Sequence, residues 1–274
     1  MIDHDVRRFL TGVFVLLLMC SAIKVSGQVS SGAGHLGLGN ASVALAGVHS
    51  IGSNASGIAK LEKPVLSLGY AEYFLNSDTR SLTGKLVLPI GIVSLGFYGN
   101  HDRFGSHFQE TSAGLTISKS FQSDLAVGII TNYHFINIPD EKQINAVSID
   151  IGGQYTINQT ATIGLSLRNF EQLLIDEANA TDQATIAVGA AYQFSYQTFI
   201  ATEFSYLVDS HTDLSVGVNY LPMTWLVVRG GLSVNPFMRY VGLGVIYNRF
   251  NVDVATSFHA QLGYSPQISI DYRF

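Results

Sequence analysis

Apolar side chains alternate with small or polar ones from residue 64 to the C-terminus, in segments of about ten residues separated by turns. In one segment Leu125, Val127 and Ile129 alternate with Ala126 and Gly128. A period of two is typical of a β-strand with one apolar face. The pattern predicts fourteen strands, near residues 64–74, 81–89, 92–100, 108–119, 124–136, 143–157, 160–171, 183–194, 197–208, 211–221, 224–234, 237–247, 249–259 and 265–274.

Two architectures fit many alternating strands: a soluble sandwich or solenoid with its apolar face inward, and a membrane barrel with its apolar face toward lipid. The turns favour the barrel. Links after even-numbered segments are tight, as at 158–159 and 222–223, whereas most links after odd-numbered segments are longer and charged, as at 76–80, 100–103 and 139–142. This asymmetry is typical of outer-membrane barrels. We therefore predict an all-β fold, a transmembrane antiparallel β-barrel of about 14 strands in a bacterial outer membrane, with both termini periplasmic.

Composition narrows the class of protein further. Hydrophobic residues make up 47% of the chain and charged residues 13%, which excludes a disordered chain. The formal net charge of -5 gives no attraction for a phosphate backbone, so no nucleic acid is expected as a partner. One cysteine excludes a disulfide framework. Only one long apolar run is present, whereas a helical membrane protein needs several.

That single apolar run lies at the N-terminus. Arg7 and Arg8 precede an apolar stretch over residues 9–20, and residues 25–27 supply small side chains where a signal peptidase cleaves. The pattern predicts a signal peptide over residues 1–27. Its removal would leave a chain without cysteine.

Residues 28–62 do not alternate like the rest of the chain, because they are small, glycine-rich and nearly uncharged. We predict that this segment is a plug inside the barrel formed by residues 63–274. The small-and-polar face of the strands would leave room for it at Gly128, Gly152, Gly164, Gly189, Gly217, Gly242 and Gly244.

The same face carries charges in the middle of strands, where they would meet water or each other rather than lipid. Trp225, the only tryptophan, falls on this face by alternation and is predicted to be an aromatic anchor for the plug. The candidate lumen-facing residues are Lys85, Asp150, Arg168, Glu203, Trp225, Arg229 and Asp253.

Motifs for catalysis and for cofactors are weak. Residues 32–37 match the dinucleotide pattern G-x-G-x-x-G, but no strand precedes them and no βαβ unit follows, so chance in a glycine-rich segment explains the match. The eight histidines are scattered. His134, or His259 with Ser257, could be drawn into a hydrolase scheme, although ordinary hydrogen-bonded histidines are the better explanation. We assign no catalytic residue, no metal ligand and no cofactor.

The last strand ends in alternating aromatic residues, Tyr272 and Phe274. Such an ending is similar to the signal that the barrel-insertion machinery recognises. The last strand must also pair with the first, near 64–74, to close a barrel.

The N-terminal segment resembles a known family. Its stretches Gly37–Ala46 (GLGNASVALA) and Ser53–Ala59 (SNASGIA) are similar to the N-terminal signature of FadL-like outer-membrane proteins, most closely the PorV/PorQ-type proteins of the Bacteroidetes. Ala55 stands where that family usually has proline. The signature positions are Gly37, Gly39, Asn40, Asn54 and Gly57. The resemblance implies a fourteen-stranded barrel preceded by a glycine-rich segment.

Two functions follow from this resemblance. The first is a plugged channel for small hydrophobic or amphipathic compounds. The alternative is a non-transporting accessory or scaffold barrel of a type IX secretion-like envelope assembly. The expected partners are outer-membrane lipid, the barrel-insertion machinery, and either a small hydrophobic ligand or secretion-system proteins. Outer loops of five to ten residues are too short for a large capture surface.

Overall fold

The computed structural model describes residues 32–274 except 107, 123, 140, 141, 171–182 and 209, and the side chain of Lys142. The predicted signal peptide, residues 1–27, lies outside the described residues, as do the first residues of the predicted plug. None of the described helices is long and apolar enough to cross a membrane.

Fourteen antiparallel strands form one closed barrel, in which each strand pairs with its neighbours in the sequence and β14 pairs with β1. The fold-class prediction is confirmed, and every predicted segment corresponds to one strand. The strands are β1 Val65–Glu72, β2 Thr79–Ile90, β3 Val93–Phe104, β4 Phe108–Phe121, β5 Leu125–Ile138, β6 Lys142–Thr156, β7 Ala161–Arg168, β8 Thr185–Ser195, β9 Thr198–Leu207, β10 Thr212–Met223, β11 Leu226–Val234, β12 Phe237–Tyr247, β13 Phe250–His259 and β14 Gly263–Arg273.

The apolar face of the strands points out of the barrel. On β5, Leu125, Val127 and Ile129 are exposed, whereas Ala126 and Gly128 are buried. An outward apolar band with a small and polar interior is the arrangement that lipid requires, and closure of the barrel leaves no strand edge unpaired. The alternation in the sequence is therefore an outside-to-inside alternation in the fold.

The two ends of the barrel differ less than the sequence predicts. We call the end at which Val65 and Arg273 lie the terminal end, and the other the loop end. Links at the terminal end are two to four residues long. Six of the seven links at the loop end are two to six residues long, and only residues 169–184 form a longer one.

One predicted loop is part of a strand. The sequence pattern predicts a charged link at residues 100–103, but β3 continues to Phe104, with Asp102 paired opposite Ser81 on β2 and Glu110 on β4. Asp102 is buried inside the barrel. The polar residues fit a strand here because the inner face of the barrel accepts them.

Residues 32–62 lie inside the barrel. They contain a four-residue helix, α1 (Ala33–Leu36), and two 3₁₀ helices, Val48–Gly52 and Ala55–Ile58. Helix α1 contacts β12, β13 and β14, the first 3₁₀ helix contacts β1 and β2, and the second contacts β3 to β6. The segment therefore reaches most of the inner circumference. Its apolar contacts with the wall form one cluster, Val48, Ile51, Ala55, Ile58, Val65, Val87, Tyr98 and Ile130, with Leu61 at its margin.

Candidate functional site

A ring of inward-facing glycines surrounds the plug. A Cβ atom added to Gly152 would lie 2.0 Å from the Asn54 side chain, and one added to Gly217 would lie 2.3 Å from the Leu38 carbonyl oxygen. Real Cβ contacts are never this short, so only glycine lets the plug approach the wall so closely. We call this ring the glycine belt; its members are Gly96 on β3, Gly128 on β5, Gly152 on β6, Gly164 on β7, Gly189 on β8, Gly217 on β10, Gly231 on β11 and Gly242 on β12.

Asn54 joins the plug to the glycine belt by hydrogen bonds. Its Nδ2 lies 2.7 Å from the Val43 carbonyl oxygen, 3.1 Å from that of Gly153 and 3.2 Å from that of Leu165. Its Oδ1 accepts from the Ser56 backbone N–H at 3.1 Å and so begins the second 3₁₀ helix. Only 1% of Asn54 is exposed. The signature asparagine therefore connects two parts of the plug with two strands of the wall.

Two wall side chains hold the plug near Val43. Glu203 on β9 accepts from the backbone N–H groups of Ser42 and Val43, at 2.8 and 2.9 Å. Gln154 on β6 donates to the carbonyl oxygens of Val43 and Leu45, at 3.0 and 2.9 Å. The sequence points to Glu203 as a lumen residue, but it contains no signal for Gln154.

The remaining signature residues shape the plug itself. Gly39 and Asn40 have positive φ angles of 67° and 60°, which form the turn after α1. Gly37 approaches Gly242 of the belt. A Cβ atom on Gly57 would lie 2.4 Å from the Ser50 side chain, so Gly57 lets the two 3₁₀ helices pack together.

The glycine belt is interrupted where β13, β14, β1 and β2 face the plug. Here the contacts are made by apolar side chains of β1 and β2, such as Val65 and Val87, and by ionisable side chains, which we call the charged cluster. His49 Nε2 of the plug lies 3.1 Å from the Asp271 carboxylate on β14. Arg229 Nη1 on β11 donates to Asp253 Oδ1 on β13 at 2.5 Å. Lys85 Nζ on β2 donates to the His49 carbonyl oxygen at 3.5 Å.

The charges of this cluster compensate one another. The Asp253 carboxylate pairs with Arg229, and the Asp271 carboxylate lies against His49. His35 of the plug adds an imidazole 5.6 Å from that of His49, measured between ring centroids. Burial, with a smaller contribution from His49, holds the pKa of His35 well below its ordinary value, so His35 is neutral.

Three residues of the cluster have the geometry of a metal site, since ligand atoms of His49, Asp253 and Asp271 lie within 4.8 Å of one another. Three of the four carboxylate oxygens of Asp253 and Asp271 already accept hydrogen bonds. Asn251 Nδ2 donates to Asp253 at 2.7 Å and to Asp271 at 3.3 Å, and Arg229 occupies the other Asp253 oxygen. A divalent ion would also meet the adjacent positive charges, so the arrangement favours ion pairs over metal ligation.

A cavity of about 490 Å³ extends from the terminal end of the barrel to the plug. One part of its lining is apolar and includes Val48 of the plug and Leu221 of the wall. Another part is the charged cluster, represented by His49, Arg229 and Asp271. A cavity of this size with mixed lining can hold a small amphipathic molecule.

Of the other predicted lumen residues, two lie on β6 and β7 and one lies outside the lumen. Asp150 accepts from Asn132 Nδ2 at 3.1 Å and from the Asn169 backbone N–H at 2.8 Å. Arg168 ends β7. The prediction that Trp225 faces the lumen is wrong, because the residue lies in the link between β10 and β11 and is 50% exposed. The alternation does not continue beyond the end of the strand.

The C-terminal strand closes the barrel. Tyr272 and Phe274 pack with their ring centroids 4.9 Å apart, and the Phe274 backbone N–H donates to the Pro64 carbonyl oxygen at 3.1 Å. The expected pairing of the last strand with the first is confirmed. Recognition of Tyr272 and Phe274 by the insertion machinery stays a prediction.

The histidines considered for catalysis have structural partners. His259 Nδ1 accepts from two backbone N–H groups of the following link rather than from Ser257. His134 lies between Glu110, at 2.9 Å, and Ser148, at 3.1 Å. The order resembles a hydrolase triad, but Asn132 also donates to the enclosed Ser148 hydroxyl. These contacts connect β4, β5 and β6 inside the barrel.

Comparisons with known proteins find solved structures of the same fold but no relative by sequence. No protein-family model matches the chain, and no curated protein does. The Pseudomonas putida toluene transporter TodX has a similar structure, with a TM-score of 0.67 at 13% identity over 89% of this chain and 98% of that one. The Ralstonia pickettii toluene transporter TbuX has a TM-score of 0.66 at 12% identity, over 89% of this chain and 98% of that one. A Pseudomonas aeruginosa FadL homologue has a TM-score of 0.67 at 12% identity, over 91% of this chain and 100% of that one.

At these identities the likeness shows the fold alone. The barrel has the same fold as these solved proteins, one of which is a FadL homologue. A particular closeness to PorV/PorQ-type proteins stays a prediction.

Proposed function

We propose that this chain is a bacterial outer-membrane channel for small hydrophobic or amphipathic compounds, plugged by the segment 28–62, of which residues 32–62 are described. In this proposal residues 1–27 are a signal peptide, residues 63–274 are the barrel, and both termini are periplasmic. Membrane lipid and the barrel-insertion machinery are its general partners. We assign it no catalytic residue and no cofactor.

One observation carries the proposal: the plug fills the barrel at the glycine belt, and a cavity of about 490 Å³ with apolar and polar lining extends from it to the terminal end. Fourteen strands enclose more space than wall side chains fill, since about eight strands is already just fillable. A barrel built only to anchor other proteins needs no such cavity. Similar solved barrels described as toluene transporters and as a monoaromatic hydrocarbon channel add support.

The accessory-barrel alternative has weaker support. Docking of other envelope proteins would require an extensive surface, and six of the seven loop-end links are only two to six residues long. With such short links, the lipid-facing strands would have to supply the contact surface for the partner proteins.

Deleting residues 31–60 while keeping the signal peptide tests the proposal. We expect an assembled barrel that conducts small ions in planar bilayers, whereas the intact chain does not. We also expect the intact chain to raise uptake of radiolabelled toluene or p-cresol by a Gram-negative host. A difference in gel migration between boiled and unheated protein shows, for each form, that it is a closed barrel.

Two results would contradict the proposal. A deletion variant that assembles but conducts nothing would show that the segment is not the plug. An intact barrel that raises the uptake of no apolar or amphipathic compound would make the accessory barrel the better explanation.

A further inference from the structure

Resting on that proposed function, we propose that compounds pass the plug along the charged cluster, between the plug and strands β13 and β14. We further propose that this route favours uncharged molecules with an apolar body and one hydrogen-bonding group. Three features of the molecule support this route: the tightness of the plug on each side, the course of the cavity and the balance of charge.

The glycine belt leaves no room for a permeating molecule. Cβ atoms added to Gly128, Gly152, Gly164 and Gly217 would all lie 2.6 Å or less from plug atoms. Passage on this side would require the plug main chain to separate from several strands at once. It would also break the hydrogen bonds of Asn54, which is almost fully buried.

The charged cluster holds the plug through side-chain ends. The His49 imidazole of the plug lies against Asp271, and the Lys85 ammonium donates to the His49 carbonyl oxygen. Rotation about side-chain bonds can move such groups without moving the main chain. The cavity borders this side at His35, His49, Asn251, Asp253 and Asp271, as it also borders strands β6 to β11.

Charge balance argues for an uncharged solute. Since Arg229 pairs with Asp253 and His49 lies against Asp271, an added charge would be left without a partner in a buried site. A pure hydrocarbon would separate these groups and replace none of their hydrogen bonds. A hydroxyl group can both donate and accept, so it can substitute for a displaced partner.

Four residues that line the cavity carry polar atoms available for such a group. His35 Nδ1, His49 Nδ1, Asn251 Oδ1 and Asp271 Oδ1 are buried and have no hydrogen-bond partner among the described residues. Buried polar atoms are normally satisfied, so atoms without partners in a cavity wall indicate where a ligand or water bonds. Together these atoms can accept a hydrogen bond from a hydroxyl group and donate one to it. Whether an imidazole nitrogen donates or accepts depends on its tautomer.

Cysteine pairs test the route. The pair Ala33→Cys/Ser269→Cys would link the plug to β14 on the cluster side, where the Ala33 backbone N–H donates to Ser269 Oγ at 3.3 Å. The control pair Ala59→Cys/Ser120→Cys would link the plug to β4 on the belt side, where Ser120 Oγ donates to the Ala59 carbonyl oxygen at 3.5 Å. The predicted removal of Cys20 leaves these thiols alone in the mature chain.

Three probes with the same aromatic body test the selectivity: toluene, p-cresol, which is uncharged at neutral pH, and p-toluate, which is anionic. For the unmodified chain we expect p-cresol uptake to exceed that of toluene by about fivefold, the value of one net hydrogen bond, and to exceed that of p-toluate. Oxidation of the cluster-side pair should abolish the added p-cresol uptake, and reductant should restore it. Oxidation of the belt-side pair should leave uptake unchanged.

Each other outcome has a distinct meaning. If the belt-side link blocks uptake, or the cluster-side link leaves it intact, the route is wrong. If toluene or p-toluate enters faster than p-cresol, the selectivity is wrong, and this measurement needs no variant. If the unmodified chain raises uptake of none of the probes, the proposed channel function itself fails. Single-cysteine variants and the heat-dependent gel shift control for assembly.

Discussion

The plug is held in two different ways on its two sides. From β3 to β12 its main chain lies mainly against glycines, with Glu203 on β9 as a charged contact, and at β13 and β14 it meets the charged cluster. On the first side, shape fixes the plug, because a single added methyl group would collide with it. On the second side, the His49–Asp271 pair and the hydrogen bond from Lys85 fix it, and such contacts can exchange partners. The difference divides the lumen into a closed wall and a side that can open.

The two sides also differ in how contacts are lost. Close packing is lost all at once when the plug separates from the belt, because dispersion contacts fall away steeply with distance. An ion pair with additional hydrogen-bonding neighbours loses contacts one at a time. Asn251, for example, bridges Asp253 and Asp271 and can keep one when it releases the other.

The largest effect is expected from filling the belt. Gly152→Leu places a side chain where Asn54 now lies, 2.0 Å from the position of the new Cβ. Overpacking of this kind costs about 3 kcal/mol and displaces backbone. We expect the plug to leave its position, so that the variant conducts small ions in planar bilayers and unfolds at lower urea concentration.

Gly153→Leu is the matched control for that variant. Gly153 is the next residue along β6, and a Cβ added there would meet no atom closer than 3.9 Å. This variant should remain plugged. Equal conductance of the two leucine variants would show that the glycine belt does not hold the plug.

An intermediate effect is expected in the charged cluster. Arg229→Met leaves the Asp253 carboxylate buried without its ion-pair partner. Such a loss destabilises a protein by about 3–5 kcal/mol, whereas removing both charges is often nearly neutral. We therefore expect Arg229→Met to lower the midpoint of urea unfolding. The double variant Arg229→Met/Asp253→Leu should recover most of the lost stability. A double variant as unstable as the single one would contradict the compensation of charge.

The strands could be predicted from the sequence because lipid imposes the same alternation on every one of them. The predicted range 237–247 coincides with β12, and the prediction fails only where a physical cue is absent. The pattern places Asp102 in a loop because charge usually marks a loop, yet the inner face of a barrel accepts charge. It places Trp225 in the lumen because alternation alone does not show where a strand ends.

The candidate site could be predicted only in part. Small inward residues indicate that a segment can pack inside the barrel, and the resemblance identifies Asn54. The partners could not be predicted, because His49 and Asp271 are 222 residues apart and meet only when the barrel closes. The sequence does not distinguish Gln154 from other polar residues of the inner face, since all of them fit the alternation equally well.

The smallest expected effect compares two serines directly. Ser269→Ala on β14 removes the acceptor of the Ala33 backbone N–H, at 3.3 Å. Ser118→Ala on β4 removes a hydroxyl that is shared between the Ser56 carbonyl oxygen of the plug, also at 3.3 Å, and the Val127 carbonyl oxygen of the wall, at 3.1 Å. Each variant loses a hydrogen bond to the plug worth about 1 kcal/mol, so we expect similar small decreases in the urea midpoint.

Their effects on opening should differ. If the charged side is where the plug moves, Ser269→Ala lowers the free energy of the opening motion and increases the frequency of brief current bursts in planar bilayers by about fivefold, which corresponds to 1 kcal/mol. Ser118→Ala weakens a contact that stays closed during opening, so its burst frequency should match that of the unmodified chain. Equal burst frequencies in the two variants, at equal losses of stability, would mean that the two sides of the plug open together.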